Sequence, residues 1–206
     1  MTTKNRWAIC NDGLPQYTVA ITNPDIYFEG ALIGDGICHA IPVDTSEGEL
    51  LQNYYRAGDA WKVKPLCPGG DYRFNVAEEV WVFDIEKGRL RKSAEISRAC
   101  RDEILNGFRS AALGSEHHYP AEPTDQINLS GTVQRSSLPG VIDEDVFPFL
   151  CEKQGVWLFR DHSAAQIQQV GRDGYAAILA ARQKNAALQL EIEAATDQAS
   201  LDEIAW

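Results

Sequence analysis

The sequence is short of positive charge, of paired cysteines and of long apolar runs, and each shortage removes a class of function. Nineteen Lys and Arg stand against thirty Asp and Glu in 206 residues, a formal net charge of −11. Phosphate binding depends on clustered Lys and Arg, so nucleic acid is not expected as a partner. No apolar run approaches the ~20 residues needed to span a bilayer, so no membrane insertion is expected. The opening Met1-Thr2-Thr3-Lys4-Asn5-Arg6-Trp7 has a basic flank without an apolar core and does not read as a signal peptide. Synthesis and retention in a cytoplasm is the expectation.

Five cysteines (Cys10, Cys38, Cys67, Cys100 and Cys151) are spread along the chain with no C-x-x-C pair. Structural zinc needs close ligand pairs and a disulfide scaffold is denser in Cys, so buried free thiols are expected. The adjacent pairs Cys38-His39 and His117-His118 are poor metal sites, because neighbouring residues rarely point at one ion. No phosphate loop, nucleophile elbow or zinc-binding H-E-x-x-H helix is present. Gly34-Asp35-Gly36 lacks the remaining glycine of a dinucleotide fingerprint and reads as a turn. Glu78-Glu79 and Asp143-Glu144-Asp145 are acidic runs in expected turns. A hydrolase reading would rest on Asp143, Asp145 and His162, chosen by residue type alone. The expectation is no enzyme, no cofactor and no metal.

With 44% hydrophobic and 24% charged residues, the chain has the composition of a globular α+β protein. Residues 1–88 read as a β-rich domain with hairpins. Its short apolar runs (Trp7 to Cys10, Tyr17 to Ile21, Ile37 to Ile41) are cut by the turn signals Asn11-Asp12-Gly13, Asn23-Pro24-Asp25 and Gly34-Asp35-Gly36. Leu50 to Tyr55 suits one or two helical turns. Tyr72 to Val76 and Val80 to Asp84 alternate as the strands of a hairpin, after the breaker Pro65-Leu66-Cys67-Pro68-Gly69-Gly70. In its second strand Val80 and Val82 face one way, Trp81 and Phe83 the other. Both faces therefore call for cover, from the same domain or another chain.

Residues 89–206 read as an α+β domain with a helix, a β-hairpin and a long heptad-like helix. Ile96, Cys100, Ile104 and Phe108 are four apart and predict a helix from about Leu90 to Phe108. Its Arg91, Lys92, Arg98 and Arg101 read as a solvated face. Thr124 is expected to cap a short helix. Phe147 to Glu152 and Val156 to Asp161 predict a second aromatic hairpin around Lys153-Gln154-Gly155, carrying Trp157 and Phe159. Ser163 with Gln166 forms a capping box for a helix running to Ala195. Along it Ile167, Gly171, Gly174, Ile178, Ala181, Asn185, Leu188, Ile192 and Ala195 keep a 4-3-4-3 spacing that suits close helix packing. A bend at Gly171 to Gly174 is allowed by the helix-weakening glycines. Ser200 with Glu203 is expected to cap a last turn ending on Trp206, which should dock on the chain itself or on a neighbour.

Residues of this second half carry a resemblance. Arg98-Ala99-Cys100-Arg101-Asp102-Glu103-Ile104, Ala111-Ala112-Leu113-Gly114, His118-Tyr119-Pro120 and Pro123-Thr124-Asp125-Gln126-Ile127-Asn128-Leu129 occur in a fixed order. Pro148-Phe149-Leu150-Cys151, Val156-Trp157 and Ala164 to Gly174 follow. Together, over about residues 89–206, they resemble a domain family of tailed bacteriophages and prophages. That family is found at the C-terminus of tail, tail-fibre and tail-fibre-assembly-like proteins, and its biochemical role is mostly unassigned. The segment Pro65 to Asp84 is similar to small hairpin modules that precede this domain. The family has no established catalytic residues, so none is implied here.

The resemblance implies a bacteriophage tail structural protein in the virion tail, made in the host bacterial cytoplasm. As a baseplate, tail-tip or fibre-connecting subunit it would contact other tail or fibre proteins and copies of itself as a homo-oligomer. The alternative is a tail-fibre assembly chaperone; a receptor-binding module or enzyme ranks lower. The residues expected to make contacts are Trp81, Phe83, Trp157, Phe159, Ile178, Leu188, Ile192 and Trp206. Acidity is shared between the halves, but Arg89 to Arg109 is net basic and Ala186 to Trp206 has five acids and no base. These stretches are expected to set the orientation of neighbouring subunits.

Overall fold

The computed structural model describes residues 6–20, 26–41 and 45–206. The turn expected at Asn23-Pro24-Asp25, residues 1–5 of the opening stretch and Ile21 at the end of its run lie outside the described residues. The protein is α+β and divides into two compact units, Met1–Lys87 and Gly88–Trp206.

In the first unit, β1 (Arg6–Asn11), β2 (Leu14–Ala20), β3 (Leu32–Ile33) and β4 (Gly36–Ala40) form an antiparallel sheet in the order β2-β1-β4-β3. The β1–β2 turn places Asp12 and Gly13 at positive φ, and a Cβ on Gly13 would meet Arg56 O at 2.7 Å. Only glycine fits there, which makes Asn11-Asp12-Gly13 a hairpin signal with a mechanism. Period-2 alternation along β1 sends Ala8 and Cys10 into a cluster with Leu50, and Ile9 into another with Ala31 and Cys38. Leu50 comes from α1 (Glu47–Asn53), whose amino end is capped by Ser46 Oγ accepting from the Glu49 N–H. The helix stops at Asn53, and the two tyrosines expected to continue it open β5 (Tyr54–Ala57) instead. That strand pairs with β6 (Ala60–Val63); a separate hairpin follows, β7 (Tyr72–Asn75) and β8 (Val80–Phe83).

The second unit holds most of α2 (Ile85–Leu105), which starts about one turn before the expected Leu90. Gly88 lies inside it and is buried. Phe108 is not on this helix. Gly107 adopts φ +90° and turns the chain, placing Phe108 on β9 (Phe108–Ser110). A Cβ on Gly107 would collide with Tyr119 O on the next strand, β10 (His117–Tyr119). The cap of α3 (Pro123–Ser136) is Glu122 rather than Thr124, with Pro123 in the first turn and Asp125 closing a capping box. Pro is preorganised for that position, which moves the start back two residues.

The second hairpin, β11 (Phe149–Lys153) and β12 (Val156–Arg160), turns through Gln154 and Gly155 at positive φ and completes an antiparallel sheet ordered β12-β11-β10-β9. Phe108, Tyr119, Phe149 and Cys151 from this sheet pack with Leu129 of α3, Phe147, and Ile167 and Val170 of α4 (Ala164–Ala194).

Helix α4 begins at Ser163, with the expected capping box to Gln166, and spans 31 residues, about 46 Å. It does not break at its glycines. A Cβ on Gly171 would press on Val133 Cγ2 at 2.7 Å, and one on Gly174 on Phe108 Cζ at 2.8 Å. The glycines are contact points where α3 and β9 reach the helix backbone. The last helix, α5 (Gln198–Glu203), is capped by Asp197, with Ser200 in the reciprocal position of the box rather than as the cap.

Candidate interaction surface

The heptad-like seam of α4 is used within its own unit. Ile167, Gly174, Ala181, Ile192 and Ala195 are buried, and Gly171, Ile178, Asn185 and Leu188 are half-buried. Cys100 Sγ lies 3.6 Å from Ala181 O, and Gln189 Nε2 donates to Ser93 O and Ser97 Oγ at 3.3 and 3.2 Å. Nearer the end, Arg89 Nη2 donates to Ala195 O at 2.7 Å. As α2 residue numbers fall, their α4 partners' numbers rise, so the two helices run antiparallel. Ile192, one of the expected intermolecular contacts, is only 2% exposed and cannot meet another chain as the unit stands. Trp206 docks on its own unit, donating from Nε1 to Glu103 Oε2 at 2.6 Å with Lys184 Nζ 4.4 Å from its ring centroid. Leu188 is half-buried. Ile178 lines a groove of about 510 Å³ between α3 and α4 with Leu129, Val133 and Tyr175.

Part of the charge contrast expected to orient neighbouring subunits is met inside the unit. Lys92 is buried and donates to Ile204 O at 3.1 Å, and Arg91 lies 4.0 Å from Asp202. Neither α4 nor α5 has a basic residue in its own last turn. Arg89 and Lys92 bring cations to the carbonyl ends of these helices, where the helix dipole favours positive charge.

Trp81 and Phe83 are half-buried. Register pairs Trp81 with Phe74 and Phe83 with Tyr72, with ring centroids 5.2 and 5.5 Å apart. The other face pairs Val82 with Arg73 and Val80 with Asn75, so the first hairpin has one aromatic face and one mixed face rather than two apolar ones. Its aromatic side continues onto Tyr55, 4.7 Å from Phe74, and Trp81 Nε1 donates to Pro65 O at 2.8 Å.

Trp157 and Phe159 lie differently. All four apolar residues of β12 are exposed: Val156 53%, Trp157 45%, Leu158 51% and Phe159 73%. The strand is the edge of its sheet and pairs only with β11 among the described residues. Trp157 and Phe159 stand on one face, where Trp157 meets the edge of His118 at 5.6 Å; Val156 and Leu158 stand on the other. Beside Phe159 a cleft of about 600 Å³ runs between α3 and β11, lined by Ile127, Gly131, Arg135, Phe147 and Leu150. A solvent-facing strand ordinarily alternates apolar with polar residues. This one does not, so it forms a continuous apolar ledge. Residue type pointed to Trp157 and Phe159. The contribution of Val156 and Leu158 shows only once the strand is known to be an edge.

The polar groups weighed for hydrolysis do not assemble. His162 is wholly buried. Its Nδ1–H donates to Arg160 O at 2.8 Å, which leaves Nε2 to accept from the Tyr119 hydroxyl at 2.9 Å. Burial lowers the His162 pKa below its ordinary value, against smaller opposing effects from backbone hydrogen bonds, and burial raises that of Tyr119. Asp143 is exposed, and Asp145 accepts from the Ile142 N–H of its own loop. The Tyr119–His162 pair joins β10 to the start of α4 and holds the core.

Of the cysteines, Cys10, Cys38, Cys100 and Cys151 are buried and free. Cys67 is exposed, contrary to the expectation of burial, because it sits in the Pro-rich loop, where its thiol lies 3.1 Å from Gly69 O. Cys38 enters an apolar cluster while His39, next on the strand, bonds Glu29 at 2.7 Å. Glu29 also accepts from Ala40 N–H and Arg56, at 2.8 and 2.9 Å. Burial pulls this carboxyl's pKa up, but these donors outweigh it and hold the carboxyl below the usual range. Among the described residues no group of three His, Cys, Asp or Glu is placed to hold a metal ion, and no helix is long and apolar enough to cross a membrane.

Neither a curated protein nor a solved structure matches the chain significantly. A family model does, over residues 88–205, more than half of the chain and almost all of the second unit. The chain therefore belongs to the family described as a domain of unknown function, DUF4376.

Proposed function

We propose that the chain is a structural subunit of a bacteriophage tail, in the baseplate, at the tail tip or connecting fibres, and acts through protein–protein contacts. The observation that carries the contact role is the exposed edge strand Val156–Phe159, apolar on both faces. Such a surface is costly in water and gains by being covered with another polypeptide. The tail assignment is supported by the order of motifs from Arg98 to Gly174 that resembles tail proteins. On this reading the chain is made in the host bacterial cytoplasm and ends in the virion. Mass spectrometry of purified particles should find it at a stoichiometry fixed by tail symmetry. Absence from particles, together with loss of fibres on deletion, would replace this reading with that of a tail-fibre assembly chaperone.

A further inference from the structure

Backbone geometry decides which side of β12 can bind. In a hairpin with the two-residue turn Gln154-Gly155, Lys153 and Val156 form the hydrogen-bonded pair that closes the turn. The alternation then makes Cys151↔Leu158 and Phe149↔Arg160 hydrogen-bonded pairs, while Glu152↔Trp157 and Leu150↔Phe159 are not. The N–H and C=O groups of Trp157 and Phe159 therefore point away from β11, toward the open edge. Edge strands are usually guarded by charge, proline or a bulge; the four residues Val156–Phe159 carry none of these.

We infer that β12 pairs antiparallel with β12 of a second copy about a two-fold axis through Leu158, joining two four-stranded sheets into one. This register sets Trp157 against Phe159 of the other copy, the residues whose free backbone groups face outward, and gives roughly four intermolecular backbone bonds. Trp157–Phe159 contacts form twice on one face, the kind of cross-strand aromatic pair that stabilises sheets. On the other face Leu158 meets its own equivalent. Charges agree with the register: Arg160 lies opposite Val156 and Asp161 opposite Gly155, so no like charges face one another. Shifting either strand by two residues pairs Trp157 or Phe159 with its own equivalent and carries the turn or Asp161 into the ladder.

The area is also consistent with a second copy. Aromatic side chains bury ~150–250 Å² each, so these two rings still present roughly 200 Å² to water. Val156 and Leu158 raise the patch to roughly 400 Å², the scale of an interaction site. A stable dimer covers about 800 Å² per partner. Strand pairing covers the free backbone edge of β12 and the facing flanks of its four apolar side chains, so the interface belongs to the small, concentration-dependent class.

The inference deepens the structural-subunit reading and rests on its contact role, but its test needs only the purified full chain. In sedimentation equilibrium the wild-type chain should move from monomer to dimer as concentration rises. Leu158→Lys and Leu158→Asp, each at a half-exposed position, should both remain monomeric. An equimolar mixture of the two should recover a dimer, because only opposite charges then meet on the axis. In a Cys67→Ser background, Leu158→Cys should form a disulfide-linked dimer on mild oxidation, which keeps the test open if the charged variants misfold. A wild-type chain that stays monomeric at every concentration would overturn the inference and assign the edge to a strand of another protein. Single charged variants that fold and still dimerise would overturn it as well. Either result leaves the tail reading to be judged by the particle experiment.

Discussion

Val80-Trp81-Val82-Phe83 and Val156-Trp157-Leu158-Phe159 are nearly the same tetrapeptide on the second strand of a hairpin, yet their surroundings are opposite. In β8 the rings of Trp81 and Phe83 meet Phe74 and Tyr72 across the ladder, and Pro65 O takes the indole N–H. In β12 the partners opposite Trp157 and Phe159 are Glu152 and Leu150, and the strand stays open to water. A strand's apolar residues state a need for cover. The partner strand and the segment lying alongside decide whether the chain meets it.

The contrast can be broken most severely at Phe74. Phe74→Ala should cost about 3–5 kcal/mol, since a buried ring touching both Tyr55 and Trp81 is lost, whereas Phe159→Ala should change stability by less than ~0.5 kcal/mol. Urea unfolding of the two variants checks this. Next comes Gly174→Ala, whose methyl would press on the Phe108 ring. Overpacking of about 1–3 kcal/mol should exceed the ~1 kcal/mol of helix propensity gained. Gly171→Ala should cost less, because it meets one methyl of Val133; thermal melts rank the pair.

A smaller change sharpens the hairpin comparison directly. Trp81→Phe removes the bond to Pro65 O and should destabilise by about 1 kcal/mol, whereas Trp157→Phe, at concentrations where the chain is monomeric, should leave the melting temperature unchanged.

The mildest test is pH. Because His162 is held neutral by burial, its folded pKa lies below the ordinary 6.5. Its contribution to the second unit is complete above that value and is lost as pH falls through it toward the folded pKa. Glu29, depressed below the ordinary 4.5 in the first unit, loses its contribution only as pH falls below that value. Unfolding followed by unit-specific probes from pH 7 to 4 should show the second unit weakening first.

Much of the fold was legible because local chemistry fixed it. The Gln154-Gly155 turn, the Ser163–Gln166 box and the 4-3-4-3 spacing each carry their own mechanism. What was not legible depended on distant partners. Phe108 continues the apolar stripe of α2 in sequence, and only the turn at Gly107, tight against Tyr119 O, removes it to a strand. The seam on α4 has the spacing of an intermolecular coiled coil, and nothing in that spacing reveals that α3, β9 and α2 already meet it in turn. The basic and acidic stretches likewise look complementary between molecules, yet Arg91 already lies beside Asp202 within one. At the candidate site, Trp157 and Phe159 were visible by type, whereas Leu158 needed the sheet order before it could be placed on an axis.

Lys92 and the carbonyl of Ile204 are 112 residues apart, and this separation sets a schedule for biosynthesis. Ribosomes add about 5–20 residues each second, so roughly 5–20 s pass between the emergence of the ammonium group and that of its acceptor. Through that interval α2 exists without the segment that covers it, and its apolar stripe is open to chaperones or to a neighbouring nascent chain. Long-range closure of this kind also slows folding relative to local helix pairing. The second unit therefore matures late, after its last helix has left the ribosome.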